Sequence, residues 1–207
     1  MRLIIIGSGT GLPLTYRASP SVAAFIDESP ILFDMGPGTL RQLARIGVFH
    51  DRIRHVYISH FHPDHTADLI HFLFVTRSPD ILDRRAPFTI TGPVGIRKLI
   101  KNFQKAYGKW LDIPAEIMRI DELDTKGPDK REYKEYSVLS RPTKHSMNGS
   151  LAFRINTRGG NNFTYSGDTE LCDGILKLAR NSDLLILECS FPENHPGKGH
   201  LTPSQAV

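Results

Sequence analysis

The sequence predicts an α/β fold in which two β-sheets pack together with helices on the outside. Three observations carry that expectation. Strand-like segments crowd the chain before residue 60, a helical middle follows, and strands return after residue 135. No linker, internal repeat or low-complexity segment divides the 207 residues, which suits one domain spanning 1–207. Hydrophobic residues make up 40% and charged residues 23%, a balance that supports a sizeable core and excludes a globally disordered chain.

The elements follow in order. Residues 2–6 are rich in isoleucine and run into the glycine loop GSGTG. Residues 21–27 and 30–34 read as a hairpin with Glu28 and Ser29 at its turn. Pro37 opens a helical stretch, LRQLARIG, that closes at Gly47. A short strand at 54–58 delivers the chain directly into SHFHPDH, and the apolar helix ADLIHFLFV comes next. After a strand at 87–91, the segment IRKLIKNFQKAYGKW repeats Arg97, Lys98, Lys101, Lys105 and Lys109 at roughly helical spacing. Residues 122–135 are charged and turn-rich and read as a surface connection. Strands are expected at 136–140, 150–156 and 162–166, the last two joined by the turn RGGN. A helix at 171–180 and the buried-looking strand LLILE complete the pattern. In HLTPSQAV, Thr202, Pro203 and Gln205 form a helix-start signature with almost no helix after it, so the chain is expected to stop short of its C-terminal element.

A formal charge of +4 suits an anionic substrate better than a cationic one and by itself does not demonstrate nucleic-acid binding. Only two cysteines occur, Cys172 and Cys189, without CxxC spacing, which implies neither a disulfide framework nor a thiolate site. MRLIII is too short for a signal peptide, and no apolar run approaches the ~20 residues of a membrane span. A cytoplasmic protein is the expectation.

The chemistry concentrates at His60, His62, Asp64 and His65, which fall within six residues after a predicted strand. On an extended segment His60 and His62 point the same way, so both imidazoles can bind one ion. Asp64 and His65 sit where the chain turns toward a helix and can face a second ion nearby. Nitrogen and carboxylate donors without sulfur suit zinc, and also manganese or iron(II).

HFHPDH matches the HxHxDH signature of the metallo-β-lactamase superfamily, and the flanking segments match in order. ILFDMGPGT resembles that family's first motif, KHSMNGSLAFRI its third and TYSGDT its bridging-carboxylate motif, while GHLTPSQA resembles the glycine–histidine loop of ribonuclease Z and its relatives. The resemblance implies a four-layer αββα sandwich and a hydrolase holding two divalent metal ions. It implies that Asp34 supports the metal loop, that His145 is a further ligand and that Asp168 bridges the ions. It also implies that Glu188 orients His200, and that the enzyme forms a homodimer.

Each position has a physical reading of its own. His145 lies in a turn with Ser146, Asn148 and Gly149, where a side chain can reach a metal. Asp168 follows the apolar NFTYS, and it could equally cap the next helix; two cations close together need an anion between them, which favours the bridge. Asp34 could be a simple turn aspartate. Glu188 ends an apolar run, so its carboxylate requires a partner. His50, His55, His71 and His195 read as surface or packing residues.

Two ions about 3.5–4 Å apart make hydroxide available at neutral pH. Asp64 would orient this nucleophile, and His200 would protonate the leaving oxygen or steady the transition-state charge. GSGTGLP, FDMGPGT, SGDT and GHLTP point within the family to phosphodiesterases, acting on a small phosphodiester or an RNA end. Ribonuclease Z itself carries a protruding tRNA-binding arm between the third motif and the bridging aspartate, and the 22 residues between His145 and Asp168 leave room only for a hairpin. The relatives also complete the second metal site with a later histidine, and without it Asp64, His65 and Asp168 would hold that ion weakly. Pro63, where glycine is common, stiffens the loop without removing a ligand. Two other classes stay open: a thioester, lactone or lactam hydrolase of the same fold, which would prefer carboxylic esters, and a non-catalytic metal-stabilised nucleic-acid binder, which would bind RNA salt-sensitively without cleaving it.

Overall fold

The computed structural model describes residues 1–195 and 197–207. It is an α/β fold with two mixed sheets flanked by helices, and its contacts group into two compact units that divide at Glu122 and Leu123.

The first unit holds the six-stranded sheet. Strands β1 (Arg2–Gly7), β2 (Ser21–Ile26) and β3 (Ser29–Phe33) form an antiparallel meander. The β2–β3 turn is Asp27–Glu28, one residue earlier than the sequence suggests, with φ of 48° and 62°. Positive φ at both central residues is the hairpin turn whose twist matches the strands, here adopted without glycine. Helix α1 (Thr39–Arg45) leads to β4 (His55–Tyr57), which lies parallel between β3 and β5 (Phe88–Pro93). Two short helices, α2 (Pro63–Thr66) and α4 (Pro79–Leu82), flank α3 (Asp68–Thr76). Helix α5 (Ile96–Tyr107) and β6 (Met118–Leu123) complete the unit, and the strands run β1 to β6 in chain order. Leu69, Phe72, Leu73 and Thr76 recur on one face of α3 and are fully buried, where the apolar residues pack with Ile58, Ile90 and Ile96. That packing fixes the loop between β4 and α3.

The second unit holds a five-stranded sheet, ordered β11-β10-β9-β8-β7, formed by β7 (Asp129–Glu132), β8 (Tyr136–Pro142), β9 (Leu151–Thr157), β10 (Asn162–Tyr165) and β11 (Leu184–Ile186). Its helix α6 (Asp173–Ala179) buries Ile175 and Leu178 with Ala152 of β9. Three expectations are corrected here. The supposed connection at 122–135 contains β7, paired with β8 from Asp129↔Ser140 to Glu132↔Ser137. Its sequence, DKRE, hides it, because an edge strand guarded by charges carries no apolar alternation. LLILE is strand only over its first three residues, and these lie at the sheet edge with Leu184 46% and Leu185 38% exposed, not buried. The helix expected from 171 starts at Asp173. The capping box at Thr202 and Gln205 is present, on a single 3-10 turn at Pro203–Gln205. No helix among the described residues is long and apolar enough to cross a membrane.

Candidate metal centre

In the first unit, β4 ends at Tyr57 and the chain passes through Ser59, His60 and His62 into α2, whose first residue is Pro63. Proline needs no amide partner at that position, and the His62 carbonyl accepts hydrogen bonds from the Thr66 hydroxyl (2.9 Å) and the His65 amide (3.0 Å). His60 Nε2 and His62 Nδ1 stand 3.0 Å apart, close to the ~3.4 Å between ligand atoms on a tetrahedral ion with bonds of ~2.0–2.1 Å. Asp64 Oδ2 lies 3.7 Å from His65 Nε2, and the His60 and His65 rings are 4.2 Å apart.

Asp34 organises this loop. It is fully buried, in the left-handed region at φ 58°, a conformation aspartate tolerates better than most residues. Its carboxylate accepts from the Ser59 amide (2.7 Å), the Ser59 hydroxyl (2.8 Å) and His65 Nδ1–H (2.7 Å). Because the Ser59 hydroxyl proton goes to Asp34, its oxygen accepts from His60 Nδ1–H at 2.9 Å. The protons on His60 and His65 are thereby held on Nδ1, leaving Nε2 of both rings as the basic nitrogen, as a metal ligand requires. Gly36 lets the loop close: a Cβ there would sit 2.0 Å from the Asp64 carbonyl oxygen.

In the second unit, His145 follows β8 and donates from Nδ1 to the Gly199 carbonyl at 2.7 Å, so its basic nitrogen is again Nε2, 3.9 Å from Asp168 Oδ2. Asp168 does not cap α6, which starts from Cys172. Ligand atoms of Asp168, Glu188 and His200 lie within 4.8 Å of one another. Glu188 accepts four hydrogen bonds, from the Thr169 amide (2.9 Å) and His200 Nδ1–H (2.9 Å) on one oxygen and the Ser190 (2.9 Å) and Leu201 (3.3 Å) amides on the other. The His200 ring meets those of His145 and Phe191 edge-on, at 5.0 and 4.9 Å.

The donor set fits divalent ions: imidazole nitrogens with fixed tautomers, carboxylates and no thiolate. His55 is a packing residue, buried on β4 beside the Thr91 hydroxyl at 2.7 Å, and burial pushes its pKa down to about 3, so it stays neutral. The basic residues of α5 are exposed, and the amides at its N-terminus, Gly95 and Arg97, are taken by Glu122.

Several residues that bear on the site were not singled out by the sequence. Ser59, one place before the histidine cluster, carried no motif. Glu170 accepts from the Gly199 amide (2.8 Å) and pairs with Lys144 (2.6 Å), and the Lys144 hydrogen bond holds its carboxyl below the usual range. Arg17, Arg41 and Arg45 line a cavity of about 240 Å³ with Gly11 and Ser19, and no Asp or Glu is among the described residues lining it. The only sequence signal for that cavity was the four-residue spacing of Arg41 and Arg45 on α1.

A family model described as a β-lactamase superfamily domain matches residues 30–207. The ribonuclease Z of Mycolicibacterium gilvum is 30% identical over 196 residues, which cover 90% of this chain and 68% of that protein. The crystal structure of human tRNase Z, short form, superimposes with a TM-score of 0.81 at 26% identity, covering 99% of this chain and 85% of the human one. The metallo-β-lactamase fold protein YhfI from Bacillus subtilis gives a TM-score of 0.82 at 23% identity, over 99% of this chain and 78% of that one, a likeness of fold.

Proposed function

Because the chain belongs to the metallo-β-lactamase superfamily, and within it to the ribonuclease Z-like branch, we propose that it is a metal-dependent phosphodiesterase acting on a small phosphodiester or an RNA end. The observation that carries this reading is the arginine-lined cavity beside Asp64. Gly11 lines it, and a Cβ on Gly11 would meet Asp64 Oδ2 at 3.4 Å. Three guanidinium groups without a carboxylate favour a ligand with several phosphate oxygens over a neutral lactone or lactam. The segment between His145 and Asp168 is taken up by β9, β10 and a tight turn, which supports a substrate smaller than a whole tRNA.

In this reading His60, His62, Asp64, His65, His145 and Asp168 would hold the divalent ions. Zinc suits the donors best, with manganese or iron(II) as alternatives. Such ions, when bound, supply Lewis acidity and make water acidic enough to attack at neutral pH. The chain's own groups do the rest. Asp34 and Ser59 keep the histidines in their ligand tautomer. Asp64 orients the attacking water, and Arg17, Arg41 and Arg45 hold a phosphate beside the scissile one. His200, fixed through Nδ1 on Glu188, delivers a proton from Nε2 to the leaving oxygen.

The test compares hydrolysis of bis(p-nitrophenyl) phosphate with that of p-nitrophenyl acetate, and adds a short oligoribonucleotide. The phosphodiester is expected to be preferred in kcat/KM. Arg41→Ala/Arg45→Ala should raise KM for the oligonucleotide at least about tenfold and leave the single-phosphate substrate unchanged, since only the former reaches the arginines. Preference for the acetate would overturn the reading.

A further inference from the structure

The second unit has three separate loops: one carries His145, one Asp168 and one His200. They converge on a carboxylate that none of the roles above uses. Glu170 Oε1 accepts the Gly199 amide at 2.8 Å, and its Oε2 pairs with Lys144 Nζ at 2.6 Å. Its own amide donates to the Lys144 carbonyl at 2.7 Å. Gly199 in turn accepts from His145 Nδ1–H at 2.7 Å. Gly199 is therefore held at both ends, amide on Glu170 and carbonyl on His145, and it reaches both only at φ 95°. A Cβ at this position would press on His145 Nδ1 at 3.2 Å. His200 is the next residue along the chain.

We infer that Glu170 is a positioning residue, whose hydrogen bond to Gly199 sets the His145 ring as a ligand and the His200 ring as a proton donor. The inference rests on the phosphodiesterase reading for what these rings do, and its structural content is separate. The acceptor on Gly199 is what matters. The ion pair with Lys144 is peripheral, because the Lys144 side chain is 68% exposed and such pairs contribute little.

That distinction makes the test. Glu170→Gln keeps an oxygen for the Gly199 amide and loses the charge, Glu170→Ala loses both, and Lys144→Met loses only the ion pair. Metal affinity is measured by competition with a chromophoric chelator, using zinc as the probe. Alongside it, kcat and KM on an alkyl-leaving-group phosphodiester and the circular dichroism melt are recorded. Glu170→Ala should weaken zinc binding by about 10–100-fold and lower kcat with KM little changed, the cost typical of losing a group that orients a ligand. Glu170→Gln and Lys144→Met should stay within about threefold of the parent. Parent-like zinc affinity and kcat in Glu170→Ala would overturn the inference. So would Glu170→Gln as impaired as Glu170→Ala, since that puts the effect on charge. A parent chain that binds zinc but hydrolyses no phosphodiester overturns the functional reading, while the affinity comparison still decides the role of Glu170.

Discussion

Asp34→Asn is expected to strip the chain of most of its metal affinity while leaving its backbone in place. Position 34 sits at φ 58°, where asparagine is as acceptable as aspartate, so the substitution isolates the hydrogen bonds. The Asp34 carboxylate accepts from the Ser59 amide, the Ser59 hydroxyl and His65 Nδ1–H. An amide group replaces one oxygen with a donor. If that donor faces His65, the imidazole proton must move to Nε2, the nitrogen a ligand needs free. If it faces the Ser59 amide instead, two N–H groups meet in a fully buried site, at a cost of about 1–3 kcal/mol. Loss of a group that orients a ligand typically costs 10–100-fold in metal affinity. Because Asp34 serves His65 directly and His60 through Ser59, the expected loss lies at the upper end of that range. Zinc titration and a thermal melt check it: unchanged affinity in a folded Asp34→Asn chain would remove Asp34 from the account.

Glu188→Gln should act on turnover and spare the metals. The Glu188 carboxylate takes two donors on each oxygen, so a glutamine amide group must face two of them whichever way it turns. Facing Thr169 and His200, it displaces the imidazole. Facing Ser190 and Leu201, it loosens the loop that carries His200. General acid catalysis contributes typically 10²–10⁴-fold, and kcat is expected to fall by about 10²-fold or more on an alkyl-leaving-group phosphodiester. With p-nitrophenolate, which leaves without a proton, the loss should be much smaller, and zinc content should match the parent. His200→Ala should follow the same pattern. An equal loss on both substrates would place Glu188 and His200 outside proton transfer.

The two units differed in how far the sequence exposed their candidate site residues. His60, His62, Asp64 and His65 were legible as candidate ligands because residues within six positions need only a strand before them and a helix after to share a place. His145, Asp168 and His200 became legible through motif resemblance, since nothing in a lone turn histidine separates it from a surface residue. Ser59, Glu170 and the three arginines escaped notice because their roles exist only in three dimensions: a hydroxyl between a carboxylate and an imidazole, a carboxylate reaching 29 residues along the chain to Gly199, and two helix positions facing a loop residue. The fold shows the same division. The apolar period of α3 and the two apolar runs of β2 and β3 around a polar turn could be read directly, whereas β7 is a strand of four charged residues recognisable only by its partner β8. LLILE misled in the opposite sense, because a parallel edge strand can be as apolar as a central one.

The central claim is that the histidine cluster of the first unit and the His145–Asp168 pair of the second exist to hold divalent ions. Elemental analysis of the purified chain, after equilibration with zinc and removal of the excess, tests it most directly. At least one ion per chain is expected, falling well below one in His60→Ala and in Asp168→Ala. A folded parent chain that retains no zinc, manganese or iron would contradict it.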